Sequence, residues 1–319
     1  MNDNVEAYVS TNELVSDIKI SVKNGKNSKN RKDINYKIRK WSRKHRWFYR
    51  VVTAVMGGAV PRLFRYEYFG VENLLQFPEN TPLILVGNHR SHLDAMVAIA
   101  STFHPRGNLR YLTSITYGDI QKENFLFKMM RYVGGFPIDR DNPDLSLDYL
   151  FETLKAGFPI GMFPQGGRIA RTPVEDYHKL SEEGRSGVGR VILRVGGKIP
   201  VIPVYIHGTA EALSRGKILP KFGSYLSLTF GKAMYFTEYG QKEWDKTSEE
   251  FYQTARTITN SIMSKLKELC FETEKEVFEL VEKKLGKSIQ NIKFTENQSK
   301  KLRSWLKRFS HYAPYEFKK

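Results

Sequence analysis

Between residues 70 and 240 short apolar runs alternate with amphipathic stretches. "PLILVGN" (82–88), "LRYLTSI" (109–115), "GFPIDR" (135–140), "PIGMFPQG" (159–166) and "IPVIPVYIHG" (199–208) have the length and composition of strands, and "YLSLTFGKAMYF" (225–236) is strand-rich. Between them, "SHLDAMVAIASTF" (91–103), "NFLFKMMRYVG" (124–134), "LSLDYLFETLKAG" (145–157) and "GVGRVILRVGG" (187–197) carry apolar residues at helical spacing. Strand–helix alternation of this kind predicts an α/β fold with a mainly parallel central sheet flanked by helices.

The flanks read differently. Residues 1–32 are polar and end in "KNGKNSKNRK", a basic arm. Residues 33–66 predict an amphipathic helical element in which Trp41, Trp47, Phe48 and Tyr49 mix with Lys37, Arg39, Lys40, Arg43, Lys44 and Arg46. Aromatic and aliphatic groups beside a basic face suit a helix lying in a membrane interface; packing on the protein core is the other reading, and the two can hold on different faces. The α/β domain then spans 67–240. A helical, basic C-terminal extension spans 241–319, with one or two amphipathic helices over 247–286 closed by Gly286.

Composition narrows the class. The chain has 319 residues, 40% apolar and 13% aromatic, enough for one large domain with appendages or two small ones. Cys270 is the single cysteine, which excludes an internal disulfide and fits a reducing compartment. The acidic, polar N-terminus lacks the basic start and apolar run of a secretory signal. The most apolar candidate span, 47–64, is broken by Arg50, Arg62, two glycines and a proline, so no transmembrane helix is expected. Net charge is +17 and sits at the ends: residues 1–50 hold 13 Lys/Arg against 5 Asp/Glu, and residues 286–319 hold 9 against 2. Basic ends attract an anionic membrane surface or nucleic acid. No nucleic-acid module such as zinc-finger spacing accompanies the charge, which leaves nucleic acid the weaker partner.

Three stretches carry candidate chemistry. In "LVGNHRSHLD" (85–94) a strand ends at Gly87 and Asn88, and Ser91 can cap the next helix with Asp94 at its third position. His89 then sits at the carboxyl end of a strand, where open α/β sheets bind ligands. A carboxylate in the first helical turn can reach back to that imidazole and orient it as a general base. Asp94 is equally well read as a cap alone, and one residue can do both. Arg140 follows a short glycine-led strand in "GGFPIDR" (134–140), and Gly166, Gly167 and Arg168 follow a strand in "FPQGGRIAR" (163–171). Each arginine alone reads as a surface residue. Together they suggest an anion site, because a guanidinium matches phosphate oxygens with a bidentate fork. No G-x-S-x-G elbow and no zinc spacing is present, so neither a serine nucleophile nor a metal is expected.

"NHRSHLD", "GGFPIDR", "FPQGGR" and "VIPVYI", in this order across residues 65–240, resemble the four motifs of the glycerolipid acyltransferases, the lysophosphatidic acid (1-acylglycerol-3-phosphate) acyltransferase superfamily. The resemblance implies a membrane-associated enzyme on the cytoplasmic face. Such an enzyme moves a fatty acyl group from acyl-CoA or acyl-carrier protein to a lysoglycerolipid hydroxyl, without a further cofactor. It implies His89 as general base and Asp94 as its orienting carboxylate. Arg140 and Arg168, with Gln165, Gly166 and Gly167, would bind the acceptor phosphate. Pro203 would belong to the fourth motif, which also reads as a buried strand. The third motif is usually Phe-Pro-Glu-Gly-Thr-Arg; here Gln165 replaces the acid and Gly167 the threonine. Glutamine keeps an acceptor oxygen, loses the charge and gains two donors. That bears on the acceptor, for which 1-acylglycerol 3-phosphate, glycerol 3-phosphate, another lysophospholipid and a glycolipid stay open. A noncatalytic lipid-binding protein is the alternative outside enzymes.

Overall fold

The structure is a computed structural model, described here for residues 43–78, 81–101, 113–114, 135, 143–155, 157–166, 183–213, 217, 219–240 and 242–285. Helix α1 (Arg43–Leu63) leads into β1 (Arg65–Phe69) and the short α2 (Glu72–Leu75). Then come β2 (Ile84–Gly87), α3 (Leu93–Ser101), β3 (Thr113–Ser114), α4 (Pro143–Lys155), β4 (Ile160–Met162) and α5 (Gly187–Arg194). The chain continues through β5 (Val201–His207), α6 (Thr209–Ala212) and β6 (Tyr225–Phe230) to the 37-residue α7 (Glu249–Leu285).

The six strands lie in the order β1-β6-β5-β2-β4-β3. Pairing is parallel except between β5 and β6, so β1 and β6 run against the other four. The consequence is geometric: the amino ends of β1 and β6 lie at the same end of the sheet as the carboxyl ends of β2, β4 and β5.

All seven residues of β5 are buried, which explains its unbroken apolar run. Val201 and Tyr205 face a core shared with Leu150 and Leu154 of α4, Val191 and Ile192 of α5, and Phe251, Ile258, Ile262 and Leu266 of α7. Ile202, Val204 and Ile206 point the other way, onto Val60 and Phe64 of the α1 end, Leu93 and Val97 of α3, and Leu226 and Leu228 of β6. The period of two thus feeds two helical layers, and each such side chain contributes about 1.5–3 kcal/mol by leaving water. Pro203 sits mid-strand and buried, between β2 and β6.

The segment from 241 is not wholly an appendage: α7 is one helix from Glu249 to Leu285, and its apolar stripe from Phe251 to Cys270 closes one face of the sheet. In the described part of the 33–66 element, Val60 and Phe64 are core while Trp47, Val51, Val55 and Leu63 are exposed, on different faces as the sequence allowed. The 109–115 strand is described only at Thr113–Ser114, and the expected 124–134 helix lies outside the described residues.

Candidate active site

The corner after β2 is built by side chains that continue backbone pairing. Asn88 is fully buried; its Nδ2 donates to the Ile206 carbonyl at 2.8 Å, and its Oδ1 accepts the Ile206 N–H at 2.6 Å. The β2–β5 ladder ends at Gly87↔Val204, so the Asn88 amide extends it by one pair while its backbone is released to turn. That turn carries His89 out of the sheet at its ligand end.

Asp94, in the first turn of α3, is fully buried and heavily used. Its Oδ2 accepts His89 Nδ1 at 2.8 Å, the Arg90 N–H at 2.6 Å and the Ser91 N–H at 2.8 Å. Its Oδ1 accepts the Thr209 hydroxyl. A carboxylate held by so many donors cannot rotate away from the imidazole, and a buried charge needs that many partners. The capping box is half as expected: Asp94 takes the Ser91 N–H, but the Ser91 hydroxyl accepts from Leu93 N at 3.3 Å and donates to the Leu213 carbonyl at 2.9 Å. Thr209 reaches Asp94 because the chain reverses at Gly208, whose φ of +79° and 2.0 Å approach of the Tyr225 carbonyl to a Cβ built there both require glycine.

The His89 side chain keeps 18% exposure. Its ring stacks on Phe163 from the end of β4, centroids 4.3 Å apart and 18° from parallel. With Nδ1 engaged by Asp94, Nε2 is the nitrogen left to a substrate. The His89 backbone N–H donates to Gln165 Oε1 at 2.8 Å. The position that departs from the motif's usual letter therefore spends its oxygen on the His89 backbone. Gln165 Nε2 is buried and has no hydrogen-bond partner among the described residues. Gly166 turns the chain at φ +67°, with the exposed Arg185 side chain lying where a Cβ would be.

His89 and Asp94 are thus brought together, with Gln165 and Gly166 beside them. Arg140, Arg168 and Gly167 lie outside the described residues. Sequence reasoning passed over Asn88, Arg90, Phe163, Arg185 and Thr209. Asn88 and Arg90, inside the first motif, and Phe163, inside the third, carried a local signal; Arg185 and Thr209 reach the corner through the fold. Among the described residues, no group of three His, Cys, Asp or Glu side chains could hold a metal, and no helix is long and apolar enough to cross a membrane.

Residues 69–207 match the family model described as Acyltransferase. Among solved structures, the chain is similar to the 1-acyl-sn-glycerophosphate (LPA) acyltransferase PlsC from Thermotoga maritima. The identity is 18%, over 74% of this chain and 84% of that one, with a TM-score of 0.50, a likeness of fold. No curated protein sequence matches significantly. The family match over 69–207 and the likeness of fold together support an acyltransferase domain of the α/β class.

Proposed function

We propose that the protein transfers a fatty acyl group from a thioester, acyl-CoA or acyl-carrier protein, to the free hydroxyl of a lysoglycerolipid. The acceptor we favour is 1-acylglycerol 3-phosphate, giving phosphatidic acid. The observation that carries this reading is the His89–Asp94 pair at the ligand end of the sheet, with Asp94 immobilised by four donors.

In this mechanism the acceptor hydroxyl gives its proton to His89 Nε2 as its oxygen attacks the thioester carbonyl. Asp94 stabilises the imidazolium that forms. The tetrahedral intermediate collapses to the ester, and the departing thiolate takes the proton back from His89 as free thiol. Transfer is direct, no acyl-enzyme is formed, and no cofactor takes part. Arg140 and Arg168, with the Gln165–Gly167 turn, hold the acceptor phosphate. The glycerol 3-phosphate, larger-headgroup and glycolipid acceptors keep the same chemistry and differ only in that pocket.

The protein works as a peripheral or monotopic enzyme on the cytoplasmic face of an anionic membrane. Support comes from the exposed Trp47, Val51 and Val55, spaced four apart on α1 beside Arg50. Leu63 at the end of α1 and Phe222 before β6 are also exposed, and the Gly223 N–H donates to the Leu63 carbonyl at 2.8 Å. The reversed β1 and β6 put these apolar groups at the sheet end where His89 sits.

The test is acyl transfer by purified protein from labelled acyl-CoA to a panel of acceptors, with products read by mass spectrometry. Wild type is expected to form phosphatidic acid, and His89→Ala to lose about 10²–10⁴-fold in rate while staying folded. Near-wild-type turnover by His89→Ala would remove His89 as the base; no product with any acceptor would favour a noncatalytic lipid binder.

A further inference from the structure

Arg90 is the residue between the histidine and the capping serine. Among the described residues no carboxylate pairs with its guanidinium, and its backbone N–H goes to Asp94. Its guanidinium lies over the Tyr205 ring, 5.6 Å from the centroid. Nε and Nη2 are both buried, and neither has a hydrogen-bond partner among the described residues. The carboxylate of this corner, Asp94, is already occupied by His89, Thr209 and two backbone N–H groups. The family's acid at position 165 would have been a second nearby carboxylate, but Gln165 is neutral and offers its oxygen to His89.

A guanidinium keeps its charge under all ordinary conditions, so it cannot escape burial by losing a proton. Two buried donors on such a group are costly unless something anionic meets them, and native structures rarely leave such donors unmet. Contact with the Tyr205 face leaves its N–H groups unconsumed. A fork with two unmet donors, one residue along the chain from His89, can receive two oxygens of a phosphate.

We infer that Arg90 is a substrate-binding residue that takes phosphate oxygens of a bound substrate beside His89, in addition to the arginines of the second and third motifs. The phosphate can come from the acceptor's monoester or from the acyl donor's phosphates, and the assignment rests on the acyltransferase reading above. In either case Arg90 sets the position of one reacting partner relative to Nε2.

The experiment uses the full chain in detergent, as wild type, Arg90→Met and Arg90→Lys. Equilibrium binding is measured for lysophosphatidic acid, for monoacylglycerol with the same acyl chain, and for acyl-CoA; KM is measured for both substrates. Methionine keeps the packing on Tyr205 and breaks no internal ion pair, so the melting temperature without ligand is expected not to fall. Loss of a charge-assisted bidentate contact is expected to weaken one phosphate-bearing ligand by about tenfold or more. Monoacylglycerol binding stays unchanged, and Arg90→Lys recovers part of the loss. Weakening confined to lysophosphatidic acid assigns the phosphate to the acceptor; weakening confined to acyl-CoA assigns it to the donor. If all three ligands bind both variants as they bind wild type, or if only the melting temperature drops, Arg90 is a packing residue and the inference fails. Absence of acyl transfer by wild type would instead overturn the proposed function, while the binding comparison would still decide Arg90.

Discussion

At the scale of single residues, the site is organised around the two oxygens of Asp94 rather than around the imidazole. Four donors converge on them, and only one belongs to the base. Thr209 is the most informative of the other three, because its hydroxyl can be removed without changing shape. Thr209→Val is expected to leave Asp94 Oδ1 buried and short of a donor. That costs about 1–3 kcal/mol of stability and lowers kcat more than it raises KM. Thr209→Ser should restore both. Urea unfolding and steady-state kinetics on the same preparations check this, and an unchanged kcat in Thr209→Val would mean that Asp94 needs no second anchor. Gln165 has a comparable dual character. Its oxygen fixes the His89 backbone, a task that a glutamate could share, but the buried Nε2 is a donor that no carboxylate could supply.

At the scale of elements, the tightest contact is α5 against α7. A Cβ on Gly189 would sit 1.9 Å from the Ala255 carbonyl oxygen, and the Gly189 N–H donates to Thr259 Oγ1 at 3.1 Å. Gly189→Ala should therefore force the helices apart and destabilise the fold by about 1–3 kcal/mol, read as a lower denaturation midpoint. An unchanged midpoint would mean that the crossing is looser than described. This contact also shows what the sequence could and could not carry. The strands around Val86, Met162 and Val204 were legible as short apolar runs, which burial on both faces imposes, and the helix after Ser91 by its length and cap. Strand direction leaves no such trace, so the reversal of β6 was not readable from "YLSLTF". Nor was the place of α7, because an apolar stripe shows that a helix packs without naming its partner. In the site, the strand-to-helix corner before Ser91 suggested that His89 and Asp94 could meet. Asn88 with Ile206, and Asp94 with Thr209, join positions 118 and 115 residues apart, and no local pattern encodes those pairs.

At the scale of the whole molecule, the proposed membrane contact would divide between charge and apolar exposure. The basic ends would provide long-range attraction, which salt weakens, while side chains such as Trp47, 65% exposed, would provide short-range burial. Replacing Trp47, Val51 and Val55 together by serine should weaken binding to anionic vesicles by at least about tenfold, since each buried apolar group contributes on the order of 1.5–3 kcal/mol. The three positions are exposed, so the fold and the Asp94 network should persist. Vesicle co-sedimentation at low and high salt measures the loss, and undiminished binding would place membrane contact elsewhere. The long separations at the corner also order events during synthesis. Asn88 waits for Ile206, Asp94 for Thr209, and the Ser91 hydroxyl for the Leu213 carbonyl, 122 residues later. A nascent chain that has exposed only the first motif therefore holds His89 and Asp94 without their full geometry, and the pair is anchored only once the ribosome has delivered the far side of β5.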